Sequence, residues 1–103
     1  MIAVLVQIPL PEPLTLDAAR ARFTGTAPKY RGVEGLLRKV YLLAGDGRMS
    51  GALYLWESRA AAERFFDADW HAFIEEKYGA PPTLTTFDAP VEVDNIAGAI
   101  HTP

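Results

Sequence analysis

Two runs of eight residues with the pattern of β-strands, Leu36–Leu43 and Met49–Trp56, lie on either side of the short segment Ala44–Arg48. That segment contains two glycines and one aspartate, which are residues that favour tight turns. Apolar runs that are joined by a Gly-rich turn are typical of a β-hairpin. The centre of the chain is therefore predicted to be a pair of antiparallel strands, and the rest of the fold must be arranged around it.

The segments on both sides of this hairpin carry the patterns and stop signals of two helices and two further strands. The acidic stretch Asp67–Asp69 predicts a kink or a restart in the second helix, and Val91–Val93 predicts a short continuation of the last strand. In chain order, the predicted elements are the strand Ile2–Ile8, a helix from about Leu16 with Thr15 as its N-cap that ends near Pro28, the loop Lys29–Gly35, the hairpin, a helix capped by Ser58 that extends to Tyr78, and the strand Thr83–Phe87.

The resulting order of elements, β-α-β-β-α-β, predicts a ferredoxin-like α+β fold, in which both helices cover one face of a four-stranded antiparallel sheet. A chain of 103 residues has room for one such domain. We expect the domain to span residues 1–95 and residues 96–103 to form a loose C-terminal tail.

Composition excludes several classes of function. The formal net charge of −3 argues against a nucleic-acid partner, since such proteins are usually basic. The absence of cysteine excludes disulfides, zinc-thiolate sites and cysteine nucleophiles. No apolar run approaches the roughly 20 residues that span a bilayer, so we expect no membrane partner and a cytoplasmic location. No pair of histidines lies in the predicted domain, so no metal site is expected.

Side-chain alternation along the strands divides the predicted sheet into two faces. One face is aliphatic and is expected to lie beneath the helices: Ile2, Val4, Val6, Ile8, Val40, Leu42, Leu53 and Leu55. The other face is apolar and aromatic: Ala3, Leu5, Gln7, Leu37, Lys39, Tyr41, Leu43, Ala52, Tyr54 and Trp56. A monomer rarely leaves such a surface in water. We therefore expect a homodimer that covers this face and encloses a pocket for a small aromatic ligand between the two sheets.

Three segments of the chain, taken together, resemble the YdhR-like monooxygenase family of the dimeric α+β barrel superfamily. They are Glu34–Lys39, Gly51–Ser58, and Tyr78–Pro82 with Phe87-Asp88, and the resemblance covers roughly residues 2–95. It implies a homodimer whose two sheets form a joint barrel. It also implies a relation to enzymes that oxidise phenolic, polycyclic substrates with O₂ and without a metal, a flavin or another cofactor.

The candidate substrate-binding residues are Trp56, Tyr54, Tyr41 and Gln7. Trp56 belongs to a Trp-Glu-Ser sequence that is similar to a motif of those monooxygenases, and the resemblance implies that its indole lies against the substrate rings. The alternative for Trp56 and both tyrosines is packing in a dimer interface, because aromatic residues favour both settings. The tyrosine hydroxyls are candidates for holding a phenol or peroxide oxygen.

The candidate catalytic residues are Lys39 and His71. Lys39 lies among apolar neighbours, where an ammonium group can stabilise a phenolate or developing superoxide. Its alternative is a lysine that reaches the sheet edge or pairs with a carboxylate. His71 is the one histidine of the predicted domain and can act as a base near neutral pH. Its alternative is a solvated histidine on the exposed side of its helix.

Two functions from different classes follow from these observations. The first is a cofactor-independent monooxygenase that oxidises a quinol-type aromatic molecule. The second is a non-catalytic module that binds a small molecule or serves as a structural dimer. An isomerase or a decarboxylase is a third option, because one fold supports several chemistries.

Overall fold

The structure is a computed structural model that describes residues 1–103. Six strands and three helices form it, with a short 3₁₀ turn after the first helix: β1 (Ile2–Pro9), α1 (Leu16–Thr26), the 3₁₀ turn (Ala27–Tyr30), β2 (Leu36–Leu43), β3 (Met49–Trp56), α2 (Arg59–Phe65), α3 (Ala68–Tyr78), β4 (Thr83–Asp88), β5 (Glu92–Asp94) and β6 (Ala99–His101). Strands β1 to β4 form one antiparallel sheet in the order β2-β3-β1-β4. The predicted ferredoxin-like α+β fold is confirmed.

Each helix begins at the kind of residue that helix N-caps require. The side chain of Thr15 accepts a hydrogen bond from the backbone N–H of Ala18, and Ser58 does the same for Ala61. The carboxylate of Asp67 accepts from the backbone N–H of Trp70 at 2.8 Å, which starts a new helix. The predicted second helix is therefore two helices, α2 and α3, and the acidic stretch marks the restart between them.

The register of the sheet decides which side chains share a face. Directly opposite residues of antiparallel strands point to the same side, and Val4 is opposite both Tyr54 and Thr86. Four rows of opposite residues form one side, called the helix-facing side below. These rows are Leu36, Trp56, Ile2 and Asp88; Lys39, Tyr54, Val4 and Thr86; Tyr41, Ala52, Val6 and Leu84; and Leu43, Ser50 and Ile8.

The expected assignment of the two faces was wrong in one respect. The aliphatic side chains of β1 and the aromatic side chains of the hairpin were expected on opposite faces, but they share the helix-facing side. The alternation within each strand was correct except at Leu37, because a bulge in β2 between Leu36 and Arg38 places Leu36 instead on the side of Lys39. What alternation cannot reveal is the relative register of β1 and β3, which pairs residues 40 to 54 positions apart and exchanges the faces when it shifts by one residue.

Complementary sizes explain why the aromatic rings face the helices. Trp56 is fully buried and Tyr54 is 3% exposed, and both belong to the core. The part of α2 in the same core carries only small buried side chains, those of Ala61 and Ala62. Large rings on the sheet fill the space that these alanines leave, so the layers reach the dense packing of a protein interior.

The other side of the sheet, called the open face below, is mostly aliphatic. Its rows are Arg38, Leu55, Ala3 and Phe87; Val40, Leu53, Leu5 and Thr85; and Leu42, Gly51, Gln7 and Thr83. Arg38 is the only charged residue among these positions, and Val40 and Phe87 are each about half exposed. A face of this composition is unusual for a sheet that meets water, because such faces are mainly polar. An apolar second face was expected, and β1 contributes Ala3, Leu5 and Gln7 to it as predicted. The hairpin contributes aliphatic residues, Val40, Leu42, Leu53 and Leu55, where its aromatic residues were expected.

The chain after β4 forms a second, two-stranded sheet. Strands β5 and β6 pair in antiparallel register, with Val93 opposite Ile100. Asp94 anchors this hairpin through an ion pair with Arg38 at 3.3 Å. Residues 99–101 thus form a strand where a loose tail was expected, and β5 belongs to this hairpin rather than continuing β4. No helix combines the length and the apolar character that crossing a bilayer requires.

Replacing Trp56 tests its position in the core. Trp56→Ala removes a fully buried indole and should lower the free energy of unfolding by about 3–5 kcal/mol. Urea unfolding at one fixed protein concentration measures this change. The exposed side chain of Leu16 provides the control, since Leu16→Ala should leave the urea midpoint nearly unchanged. A Trp56→Ala midpoint equal to that of the wild type would contradict the core position.

Candidate functional site

A cleft lies between the helix-facing side of the sheet and the elements α1, α3 and the 3₁₀ turn. Its volume is about 50 Å³. The walls contain all four tyrosines of the chain, Tyr30, Tyr41, Tyr54 and Tyr78, together with two of its three lysines, Lys39 and Lys77. The remaining lining residues are apolar or small and polar, and none is a carboxylate or a histidine. The cleft therefore combines aromatic walls with an excess of positive charge.

Lys39 occupies the centre of this aromatic surface. Its Nζ lies 3.1 Å from the ring centroid of Tyr30, 4.1 Å from that of Tyr41 and 4.8 Å from that of Tyr54. All three distances fall within the range of a cation–π interaction, in which the negative ring face attracts the ammonium. Lys39 forms none of the ion pairs of the structure. The protein groups that stabilise its charge are therefore the tyrosine rings.

Burial changes the acid–base behaviour of the cleft. Loss of water around Lys39, reinforced by the neighbouring Lys77 ammonium, lowers the pKa of Lys39 to about 7. Burial raises the pKa of Tyr54, and the adjacent Tyr30 hydroxyl adds to that effect. Burial also raises the pKa of Tyr30 and Tyr78. At neutral pH the lysine can therefore gain or lose a proton, whereas these three tyrosines remain protonated.

Five elements bring these side chains together, and α3 supplies Lys77 and Tyr78. Strand β2 supplies Lys39 and Tyr41 from alternate positions, and β3 supplies Tyr54 directly opposite Lys39. The 3₁₀ turn that follows α1 carries Tyr30 over the ammonium. A hydrogen bond of 2.8 Å between the hydroxyls of Thr26 and Tyr41 fixes the end of α1 to the sheet. The cleft is thus built mainly on rigid elements.

The residues predicted from the sequence fall into two groups. Lys39, Tyr41 and Tyr54 meet in the cleft. Trp56 lies behind it, fully buried and stacked on Tyr54 with ring centroids 6.0 Å apart. It packs in the core of one chain, whereas its packing alternative named a dimer interface. The side chain of Gln7 belongs to the open face and lies 3.2 Å from the Met49 sulfur, so the sheet separates it from Lys39.

His71 does not line the cleft. It is half-buried on α3, and its ring contacts the edge of Trp70 with centroids 5.1 Å apart. The position of the pocket also differs from the expectation. A pocket between two sheets was predicted, whereas the cleft with Lys39 lies between sheet and helices of one chain, because the aromatic residues face the helices.

Four residues that line the cleft were not predicted from the sequence: Tyr30, Trp70, Lys77 and Tyr78. Tyr30 was assigned to a loop, where no periodicity indicates a direction. The other three carried a usable signal, because spacings of seven and eight residues from Trp70 place Lys77 and Tyr78 near one helix face. Trp70 adds a polar group, since its indole Nε1 is buried and has no hydrogen-bond partner.

No family model matches the chain, and no curated protein matches it. Among solved structures, it is similar to the crystal structure of a monooxygenase from the gene ActVA-Orf6 of Streptomyces coelicolor in complex with nanaomycin D, with 23% identity, a TM-score of 0.64 and coverage of 85% of this chain and 86% of the other. It is also similar to Rv0793 from Mycobacterium tuberculosis, with 21% identity, a TM-score of 0.63 and coverage of 90% and 98%. These similarities establish the fold, and the resemblance to the YdhR-like family stays a prediction.

Because the pKa of Lys39 is lowered, replacing this residue by a neutral one should change the free energy of unfolding by an amount that depends on pH. The folded protein releases this proton near pH 7, whereas the unfolded chain keeps it up to the ordinary value of 10.5. The cost of burying the ammonium is therefore complete below pH 7 and decreases as the pH rises toward 10.5. Lys39→Met should raise the free energy of unfolding at about pH 6.5, and the gain should be much smaller at about pH 10.

Urea unfolding of Lys39→Met and the wild type at both pH values measures this difference. Lys29→Met is the matched control, because Lys29 is exposed on the 3₁₀ turn and does not line the cleft. An equal gain in the free energy of unfolding at both pH values would mean that burial does not lower the pKa of Lys39.

Proposed function

We propose that this protein is a cofactor-independent monooxygenase that oxidises an electron-rich, quinol-type aromatic molecule in the cleft. The observation that supports it most is the Lys39 ammonium, held over three tyrosine rings where no carboxylate neutralises it. The same surfaces suit a flat phenolic ring and the negative charge that forms on its oxygen. The similar fold of a monooxygenase that was crystallised with nanaomycin D adds support.

In this proposal the substrate supplies all the electrons. A ring ketone that is the tautomer of a phenol loses one proton from its ring CH₂ and binds as the phenolate, with its charge near Lys39 and Lys77. The electron-rich carbon, which now carries one hydrogen and lies across the ring from the C–O group, reacts with O₂. Its C–H bond and the O–O bond break, the carbon becomes a carbonyl, and the second oxygen atom leaves as water with that hydrogen and the proton released at the start. The tasks of the protein are to orient the ring, to exclude water and to favour the phenolate.

The size of the cleft gives Lys39 a second task. A volume of about 50 Å³ is smaller than the roughly 150 Å³ cavity that holds one benzene molecule in an engineered protein. A ring-bearing substrate must therefore displace the lysine side chain from the face of Tyr30. The flexible stem of lysine permits this movement. The displaced ammonium is then free to pair with the phenolate, while the tyrosine rings stack on the substrate.

Oxygen uptake with anthrone, a phenol tautomer with one ring CH₂, tests the proposal. We expect wild-type protein to accelerate O₂ consumption above the uncatalysed rate, with anthraquinone as product and without added metal or flavin. Lys39→Met should lower kcat/KM by roughly 10²-fold, because it removes the charge that stabilises the phenolate. Lys29→Met serves as the matched control and should keep the wild-type rate.

Two results would contradict the proposal. One is a rate of O₂ uptake equal to the uncatalysed rate with anthrone and with other quinols. The other is a Lys39→Met variant as active as the wild type. Saturable binding of these compounds without oxygen uptake would instead support the non-catalytic binding module.

We further propose that the protein is a homodimer that buries the open face. The middle row of this face, Val40, Leu53, Leu5 and Thr85, crosses all four strands without a charge. Val40 and Leu53 are 52% and 40% exposed, and Met49 and Phe87 extend the apolar surface. Contiguous apolar patches of this kind are typical of interfaces. A second copy is the simplest cover, since two-fold dimers are the commonest oligomers.

Sedimentation analysis tests the dimer directly. The wild type should sediment at twice the chain mass of 11.3 kDa at micromolar concentration. Leu53→Glu places a charge at the centre of the open face and should produce monomers with an unchanged circular dichroism spectrum. Leu16→Glu, on the exposed surface of α1, is the matched control and should remain dimeric. A wild-type protein that sediments as single chains would exclude this interface.

A further inference from the structure

Lys39 is the lysine that aromatic rings surround most closely, because the Lys77 ammonium lies farther from its rings, 5.8 Å from the Phe73 centroid and 5.6 Å from that of Tyr78. Lys29 and Lys77 are exposed, whereas Lys39 is half-buried. Its Nζ lies within 5 Å of three tyrosine ring centroids, the nearest at 3.1 Å. A ligand ring that enters the cleft therefore comes into contact with the same surfaces as this amine. That proximity gives the amine a high effective concentration toward any reactive group on the ligand.

The surroundings of Lys39 favour a reactive amine. No carboxylate lines the cleft, so no ion pair holds the lysine in its charged form. The other titratable groups of the cleft are Lys77 and the four tyrosines. Because burial and Lys77 lower the pKa of Lys39 to about 7, a large fraction of this side chain is the neutral, nucleophilic amine at neutral pH. A lysine with the ordinary pKa of about 10.4 is neutral in less than about one molecule in a thousand under the same conditions.

The cleft also contains proton donors for a reaction at this amine. The ring centroids of Tyr30 and Tyr54 lie 3.1 Å and 4.8 Å from the Nζ of Lys39, and burial raises the pKa of both hydroxyls. They stay protonated at neutral pH and are able to donate a proton to an oxygen that forms next to Nζ. A nucleophilic amine beside neutral acids is the arrangement that addition to a carbonyl group requires.

We propose that Lys39 captures aromatic aldehydes in the cleft by forming an imine with them. The Nζ lone pair attacks the aldehyde carbon, the C=O double bond becomes a single bond, and a proton moves from nitrogen to oxygen to give a carbinolamine. The C–O bond then breaks, and the hydroxyl takes a proton from a tyrosine and leaves as water. The nitrogen loses its remaining proton, which returns to the tyrosine, and one imine and one water result. This activity does not depend on the proposed oxidation.

The walls of the cleft explain why the aldehyde should be aromatic. Phe23 and Tyr41 stack with ring centroids 4.8 Å apart, and Tyr30 meets Tyr41 edge to face at 6.3 Å. A planar ring attached to the carbonyl gains contact with such surfaces, which an aliphatic chain of similar size does not provide to the same extent. Benzaldehyde is therefore the probe, and butyraldehyde is the matched aliphatic control.

Reductive trapping followed by peptide mapping tests the proposal. The folded protein is incubated with benzaldehyde and cyanoborohydride at pH 7, and the benzylated residues are identified by mass spectrometry. We expect one benzyl group on Lys39, introduced roughly tenfold or more faster than on Lys29 or Lys77. Butyraldehyde should react with Lys39 more slowly than benzaldehyde. In urea the preference should disappear, because it depends on the folded cleft.

Variants separate the site from general lysine reactivity. Lys39→Arg keeps the positive charge but removes the nucleophile, so it should lose the fast adduct, while Lys29→Arg should retain it. Mapping of the wild type needs no variant and is decisive even if Lys39→Arg folds poorly. Equal labelling of all three lysines in the folded protein, or labelling of Lys77 ahead of Lys39, would overturn the proposal. Failure of oxygen uptake with anthrone would leave this result unaffected, since trapping requires no O₂.

Discussion

The pairing of Val4 with Tyr54 between β1 and β3 is the interaction on which the rest of the structure depends. This register brings the aliphatic side of the first strand and the aromatic side of the central hairpin onto one face of the sheet. Covering that face with helices buries Trp56 and Tyr54 and leaves the aliphatic residues of the hairpin exposed. A shift by one residue would exchange the two faces and remove the cleft.

The sequence predicted the elements well because their signals are local. The Gly-rich turn, the caps at Thr15 and Ser58 and the restart near Asp67 depend on neighbouring residues, and the structure contains all of them. Alternation also predicted correctly that Lys39, Tyr41 and Tyr54 share a face. Whether that face packs against the helices depends on how distant strands pair. Alternation within a strand holds no information about this pairing. The assignment of Gln7 to the side of Lys39 failed for the same reason.

The chemistry of the site arises from a charge that is buried without an opposite charge. Burying an ammonium costs free energy unless a carboxylate or a π-system compensates for it. Here three tyrosine rings partly compensate for the cost of burying the Lys39 ammonium, whereas the neighbouring charge of Lys77 adds to that cost. The result is a lysine that changes its charge near neutral pH in an aromatic cleft. In its charged form it suits a phenolate, and in its neutral form it suits a carbonyl carbon.

Proton NMR tests most directly whether the side chain of Lys39 lies among the tyrosine rings. Ring currents above aromatic faces shift nearby protons upfield, and Nζ lies 3.1 Å from the Tyr30 centroid. The ε-methylene protons of Lys39 should resonate well upfield of those of Lys29 and show nuclear Overhauser contacts to the Tyr30 and Tyr41 rings. An ε-methylene resonance at the ordinary position of a solvated lysine, without contacts to these rings, would contradict this position of Lys39.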